Sequence, residues 1–192
     1  MKNNLNILKF FVEHKDATTT INQIAKALKM NYRIVYEGIM KLEQEKLIKI
    51  TRIGNANICQ FAYIYNNKVV EIEEERKEEV FKNKDIALIH KRISEIENPF
   101  YIFILFGSYA NKTQTKNSDI DLCLITDNEK INKIVNNIIQ ITPLKIQLQE
   151  FTTEQFQTMI KTRETNVGSE IKKNNIIFHG LESFYGLIQN AE

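Results

Sequence analysis

The stretch 106-FGSYANKTQTKNSDIDLCLI-125 decides how this chain reads. It starts where Phe100 to Phe106, FYIFILF, ends: an unbroken apolar and aromatic run, the pattern of a central strand buried on both faces. The run stops abruptly at Gly107-Ser108. A polar segment, YANKTQTKN, begins as a short helix. Ser118-Asp119-Ile120-Asp121-Leu122-Cys123-Leu124-Ile125 then reads as a second strand that opens with two carboxylates.

Each part of this order has a chemical reason. Gly107 lets the backbone approach a ligand with no Cβ in the way, Ser108 offers a hydroxyl, and the amides that open the following helix point at an anion. Asp119 and Asp121 lie two apart on a strand. Their side chains therefore leave the same face and can share Mg²⁺ or Mn²⁺, while Ile120 and Leu122 pack behind. Metal ions that bridge phosphate oxygens stabilise the charge that develops in phosphoryl or nucleotidyl transfer. Asp119 and Asp121 are thus the catalytic and metal candidates, and Gly107, Ser108, Lys112 and Ser118 the nucleotide-binding candidates. The pattern G-S-x9-S-D-x-D would arise by chance in a chain this long roughly once in ten thousand times at average residue usage.

This segment resembles the signature of minimal nucleotidyltransferases of the polymerase-beta superfamily. The resemblance covers roughly residues 99 to 180, through a helix around Ile131 to Ile141, the strand Leu144 to Phe151 and the ending IIFHG. It implies an α+β domain with a mixed sheet, an NTP substrate and transfer of NMP to a hydroxyl. Related proteins carry such a domain fused to a winged helix, and others are antitoxins that modify a HEPN-type toxin.

Two positions depart from the family pattern. Where the family has a Gly two residues after the Ala of GSxA, this chain has Lys112. The third carboxylate is expected on the strand Leu144 to Phe151, but its polar face carries Gln147 and Gln149, and an amide cannot act as a base at neutral pH. Glu150 is the nearby acid and the candidate third metal ligand. Strict alternation turns it toward the core face.

The first seventy residues read differently. Leu5, Leu8 and Val12 recur at helical spacing, Thr20 and Gln23 can form a capping box ahead of Ile21, Ile24, Ala25 and Leu28, and Asn31 can cap a helix to about Glu45. Leu47 to Ile53, a turn at Gly54-Asn55, and Ile58 to Ile64 read as a β-hairpin. The stretch from Ala17 to Ile50 resembles the winged helix-turn-helix family. That resemblance implies double-stranded DNA in contact with Tyr32, Arg33, Tyr36 and Lys41 on the third helix and with Arg52 and Asn55 or Asn57 on the wing. Arg33 would meet either a guanine or a phosphate, and Glu37, Glu43 and Glu45 oppose phosphate. Winged helices also dock proteins, so that alternative stands.

Charge follows the same division. Residues 1–70 hold 11 Lys and Arg against 5 Asp and Glu, residues 71–98 hold 6 against 9, and the remainder holds 9 against 10. The basic excess therefore belongs to the N-terminal third. Residues 71–98 read as a helical connector, one helix or two joined near Asn83. The expected organisation is a winged helix-turn-helix domain at 1–70, the connector at 71–98, and a nucleotidyltransferase domain at 99–192.

The composition, with 6 Gly and 2 Pro, is that of an ordered protein, and no run approaches the roughly 20 apolar residues that span a bilayer. With no apolar leader at MKNNLNILKF, a cytoplasmic location is expected. Cys59 and Cys123 fall in apolar strands and read as core thiols, and His14, His90 and His179 have no metal-ligand spacing. The ending LESFYGLIQN reads as an amphipathic helix that caps the core or forms a homodimer contact. Two functions compete: an NMP-transferring enzyme, and a DNA-binding regulator or antitoxin whose altered transferase domain binds nucleotide or a partner without turnover.

Overall fold

A computed structural model describes residues 2–162 and 164–191, leaving aside the Lys2 side chain. The chain divides into two compact units, Met1–Ile72 and Glu73–Glu192.

The first unit runs α1 (Lys2–Glu13), β1 (Thr19–Thr20), α2 (Ile21–Leu28), α3 (Tyr32–Gln44), β2 (Ile48–Ile53) and β3 (Ala56–Phe61). Ile7, Leu8, Phe11 and Val12 give α1 one fully buried face. Thr20 and Gln23 form the capping box that starts α2. Lys29 stops that helix in the left-handed conformation, and Asn31 caps α3 by accepting from the Arg33 amide at 2.9 Å. Val35, Ile39 and Leu42 turn inward. Gly38 on the same face has a packing role, because a Cβ there would stand 2.5 Å from Ile7 Cδ1. The sheet is antiparallel in the order β1-β3-β2, with Cys59 opposite both Thr19 and Ile50. The short strand β1 is not visible in the sequence pattern. The extended backbone that an N-cap requires, φ −87° and ψ 157° at Thr20, is also a strand conformation, so the cap doubles as an edge pairing.

The unit boundary falls inside α4 (Asn67–Val80), and α5 (Lys84–Ser94) follows after an Asn83 cap. The region expected as a helical connector is helical, in α4 and α5. Ile86, Ile89 and Ile93 of α5 belong to the core of the second unit, as their helical spacing allows.

That unit continues with β4 (Ile102–Phe106), α6 (Gly107–Ala110), β5 (Ile120–Ile125), α7 (Glu129–Gln140), β6 (Ile146–Phe151), α8 (Thr153–Lys161), α9 (Val167–Lys173), β7 (Asn175–His179) and α10 (Leu181–Gln189). Its sheet has the order β6-β5-β4-β7 and is mixed: β5 pairs parallel with β6 and antiparallel with β4, which pairs antiparallel with β7. Strand β4 is buried along its whole length, as its continuous apolar run requires. Helices α8 and α9 open on capping boxes, Thr152 with Gln155 and Asn166 with Ser169. The apolar side of α10 is covered by the chain itself. Phe184 meets the Phe156 ring at 6.0 Å, and Tyr185 Oη donates to the buried Glu73 carboxylate at 2.7 Å. Glu73 also accepts from Arg76, whose other nitrogen donates to the Asn175 carbonyl, so this buried charge is compensated. Among the described residues no helix is long and apolar enough to cross a membrane.

Candidate functional site

The site grows from the end of β4. Phe106 pairs with Asp121 of β5 on one side and with Asn175 of β7 on the other, which brings both neighbours to one end of the sheet. The chain leaves the strand through Gly107 at φ +66°, the left-handed region, and a Cβ there would fall 2.2 Å from Asp121 Oδ2. Glycine is required twice over, by conformation and by contact. The turn carries the Ser108 amide onto the Asp121 carboxylate. The Ser108 hydroxyl oxygen is buried and has no hydrogen-bond partner among the described residues. An orphaned hydroxyl of this kind needs a ligand oxygen or water to offset its lost hydration.

Asp119 and Asp121 flank Ile120, which is buried in the core behind them. Register fixes both: the Ile120 amide donates to the Lys145 carbonyl at 2.8 Å, and Asp121 sits opposite Gln147 in the parallel pair. Gln147 Nε2 donates to Asp119 Oδ2 at 3.1 Å. Burial, then the charge of Glu170, then that of Asp119, hold the Asp121 carboxyl above its ordinary range, and the Ser108 amide only partly offsets them.

Within the second unit the remaining candidates separate. Ser118 Oγ accepts from the Thr115 amide at 2.9 Å, so this hydroxyl closes the loop ahead of Asp119. Lys112 is exposed and sits at φ +58°. A left-handed position explains why a glycine suits it, and why lysine there carries strain. Glu150 does not join the aspartates. It lies on the α7 side of β6 with Ile146 and Leu148, and its carboxylate accepts from Asn136 Nδ2 at 2.7 Å. Alternation holds to the end of the strand and turns it away. The acid whose charge reaches Asp121 is instead Glu170 of α9, remote in sequence and marked by no spacing rule.

Residues 89–177 match the family model Polymerase beta, Nucleotidyltransferase. No curated protein matches the chain. The matched segment starts within α5, ends within β7 and contains Gly107, Ser108, Asp119 and Asp121.

The donor set of this segment fits a hard divalent cation. Among the described residues no group of three His, Cys, Asp or Glu could hold a metal ion. Two carboxylates are nevertheless what Mg²⁺ commonly takes from a protein when substrate phosphates supply further oxygens. Asp119 and Asp121 would be those ligands, and the bound ion would neutralise charge on a triphosphate.

In the first unit Tyr32, Arg33, Tyr36 and Lys41 are all exposed on α3, with Tyr32 and Lys41 on opposite flanks of its outer half. The Tyr32 and Tyr36 rings lie 6.3 Å apart and near parallel. Arg33 Nε is engaged by Glu37 at 3.0 Å, an exposed pair that costs little to open. At the β2–β3 turn, Asn55 is exposed and Arg52 Nε donates to the Gly54 carbonyl at 3.3 Å.

Proposed function

We propose that the chain is an Mg²⁺- or Mn²⁺-dependent nucleotidyltransferase that moves NMP from an NTP to a hydroxyl of a protein, an RNA or a small molecule. The observation that carries this reading is the Gly107 turn, which lays the Ser108 amide on Asp121 and leaves the Ser108 hydroxyl buried without a partner. Phosphate oxygens supply the acceptor which that hydroxyl lacks, and Asp119 with Asp121 face the same ligand through the cation. Lys112, on the exposed loop, supplies a positive charge toward the triphosphate.

The first unit is proposed to be a winged helix-turn-helix that binds double-stranded DNA through α3 and the β2–β3 hairpin. Its support is the element order, the basic excess of residues 1–70 and the exposure of Tyr32, Arg33, Tyr36, Lys41, Arg52 and Asn55. A cytoplasmic location, a HEPN-type toxin as the modified partner, and a homodimer complete this reading.

One observation favours a second reading, a DNA-binding regulator or antitoxin that binds nucleotide without turnover. Gln147, an amide, holds Asp119 from the polar face of β6, the strand on which the family resemblance expects an acid, at Gln147 or Gln149. The two readings part in one experiment. The protein is incubated with α-labelled NTPs and Mg²⁺ or Mn²⁺ beside RNA, protein and small-molecule acceptors, and compared with Asp119→Ala/Asp121→Ala. Label transfer by the wild type alone supports the enzyme. Cation-dependent nucleotide binding with no transfer supports the regulator, and equal behaviour of the two proteins contradicts both.

A further inference from the structure

Strand β6 lies at the edge of its sheet, and its outer side is open. In the order β6-β5-β4-β7 it has β5 on one side and no strand on the other. The Ile120 amide donates to the Lys145 carbonyl at 2.8 Å and the Thr126 amide to the Phe151 carbonyl at 3.0 Å, so the parallel ladder uses the odd-numbered residues along β6. The backbone N–H and C=O groups of Ile146, Leu148 and Glu150 therefore point out of the sheet, and they have no hydrogen-bond partner among the described residues. Neither a proline nor a bulge interrupts β6, the devices that commonly blunt such an edge. The other edge is closed: Asn175 to Phe178 of β7 are buried, and Arg76 donates to the Asn175 carbonyl.

The open edge borders the site on the side from which a nucleophile arrives. Ser108, whose buried hydroxyl lacks a partner, follows β4 on one side of β5, and β6 lies on the other, with Asp119 and Asp121 at the head of β5 between them. In phosphoryl transfer the attacking and leaving oxygens stand roughly in line across the phosphorus. Phosphates seated at Ser108 therefore leave the β6 side to the attacking hydroxyl. Gln147 marks the face of β6 that meets the aspartates, because its amide donates to Asp119 Oδ2 at 3.1 Å. Gln149 shares that face, opposite Cys123 in the register, and its half-buried amide makes no hydrogen bond among the described residues.

We propose that the open edge of β6 receives an extended polypeptide segment as an added strand, and that this segment carries the acceptor hydroxyl. The inference rests on the transferase reading above and narrows its acceptor to a protein chain. The segment's own N–H and C=O groups satisfy those of Ile146, Leu148 and Glu150, a repeat that neither an RNA nor a small molecule matches. Side chains on the site face of the added strand lie beside Gln147 and Gln149, whose amides both donate and accept and so hold a polar side chain next to the cation ligands. In the step, the hydroxyl oxygen bonds to the α-phosphorus and its proton passes to water. The bond between the α-phosphorus and the oxygen bridging to the β-phosphate breaks, and pyrophosphate leaves with that electron pair.

The test screens synthetic peptides with a central Ser, Thr or Tyr, beside a short RNA ending in a 3′-hydroxyl, for label from α-labelled NTPs with Mg²⁺. The best peptide acceptor is resynthesised with backbone N-methyl groups on one or the other alternate set of residues. One set is expected to cut transfer about tenfold or more and the other to leave it unchanged, since only alternate amides face β6. Glu150→Pro removes one outward N–H and leaves the ladder to β5 whole. It is expected to raise the peptide KM several-fold, with Mg²⁺-dependent binding of a fluorescent NTP unchanged. Equal effects of the two methylated sets, an unchanged peptide KM in Glu150→Pro, or transfer to RNA but to no peptide overturn the inference and leave the transferase reading intact. A wild-type dimer that Glu150→Pro converts to monomer also overturns it, since a second copy would then hold the edge. A wild type that labels no acceptor beyond the Asp119→Ala/Asp121→Ala background removes the transferase reading and this inference together.

Discussion

Gly107 and Asp121 are packed so closely that a single methyl group on residue 107 would stand 2.2 Å from Asp121 Oδ2. The backbone also takes a left-handed turn there, at φ +66°. Gly107→Ala is therefore expected to destabilise the second unit by about 2 to 4 kcal/mol, from left-handed strain and overpacking combined. Gly54 provides the control. It has a similar φ of +59° with nothing near a Cβ, so Gly54→Ala should cost only the strain, about 1 kcal/mol. Urea unfolding of both variants measures the difference, and equal losses would show that contact with Asp121 is not what fixes the turn.

Asp121 is expected to stabilise the site's chemistry at the expense of the fold. Its carboxyl is raised by burial first, then by Glu170 and Asp119. A raised folded-state value means that stability from this group is fully present below the unfolded pKa and is lost as pH rises through the folded one. Asp121→Asn keeps an acceptor for the Ser108 amide and lacks the charge. Its Tm at pH 7 should exceed that of the wild type, and the gap should close as the pH falls through the ordinary carboxylate range. Added Mg²⁺ with NTP should raise only the wild-type Tm. A variant less stable than wild type at pH 7 would contradict this assignment.

Gln147→Glu replaces the amide that donates to Asp119 with a third carboxylate on the same face. Without cation the variant should lose about 1 kcal/mol, since a hydrogen bond becomes a repulsion. With Mn²⁺ its affinity should rise about tenfold, the equivalent of 1.4 kcal/mol of added charge interaction. Calorimetric titration checks both signs, and unchanged Mn²⁺ affinity would place Gln147 away from the cation.

On α3, Arg33 is held by Glu37 at the exposed surface. Glu37→Gln frees the guanidinium and removes a charge that repels phosphate, so duplex DNA should bind several-fold more tightly. Affinity should fall steeply with salt in both proteins, because phosphate contacts release counterions. A gel shift at several salt concentrations tests this. Binding that is absent, or indifferent to salt, would turn the first unit into a protein-docking module.

Much of this was legible where local chemistry governs. The apolar run into Gly107, the SDIDLCLI strand that opens with two carboxylates, the Thr20–Gln23 box and the Asn31 and Asn83 caps each specify their element from within a few residues. Helices α8 and α9 were readable in principle from their capping boxes, but their apolar content is low: Phe156 is the buried residue of α8, and Gly168 and Ile171 are those of α9. Strand β1 was not readable, since pairing of Thr19 with Cys59 depends on a hairpin forty residues away. Glu170 was invisible for the same reason. Its relation to Asp121 is made by sheet order, with β7 laid beside β4, and no spacing along the chain records that.

The most direct test of the central claim is the affinity of an NTP for the protein with Mg²⁺ and with EDTA, measured for the wild type and for Asp119→Asn/Asp121→Asn. Wild-type binding should require Mg²⁺ and be lost in the double variant, whose fold persists. Binding that survives EDTA unchanged, or that is equal in the two proteins, would contradict it.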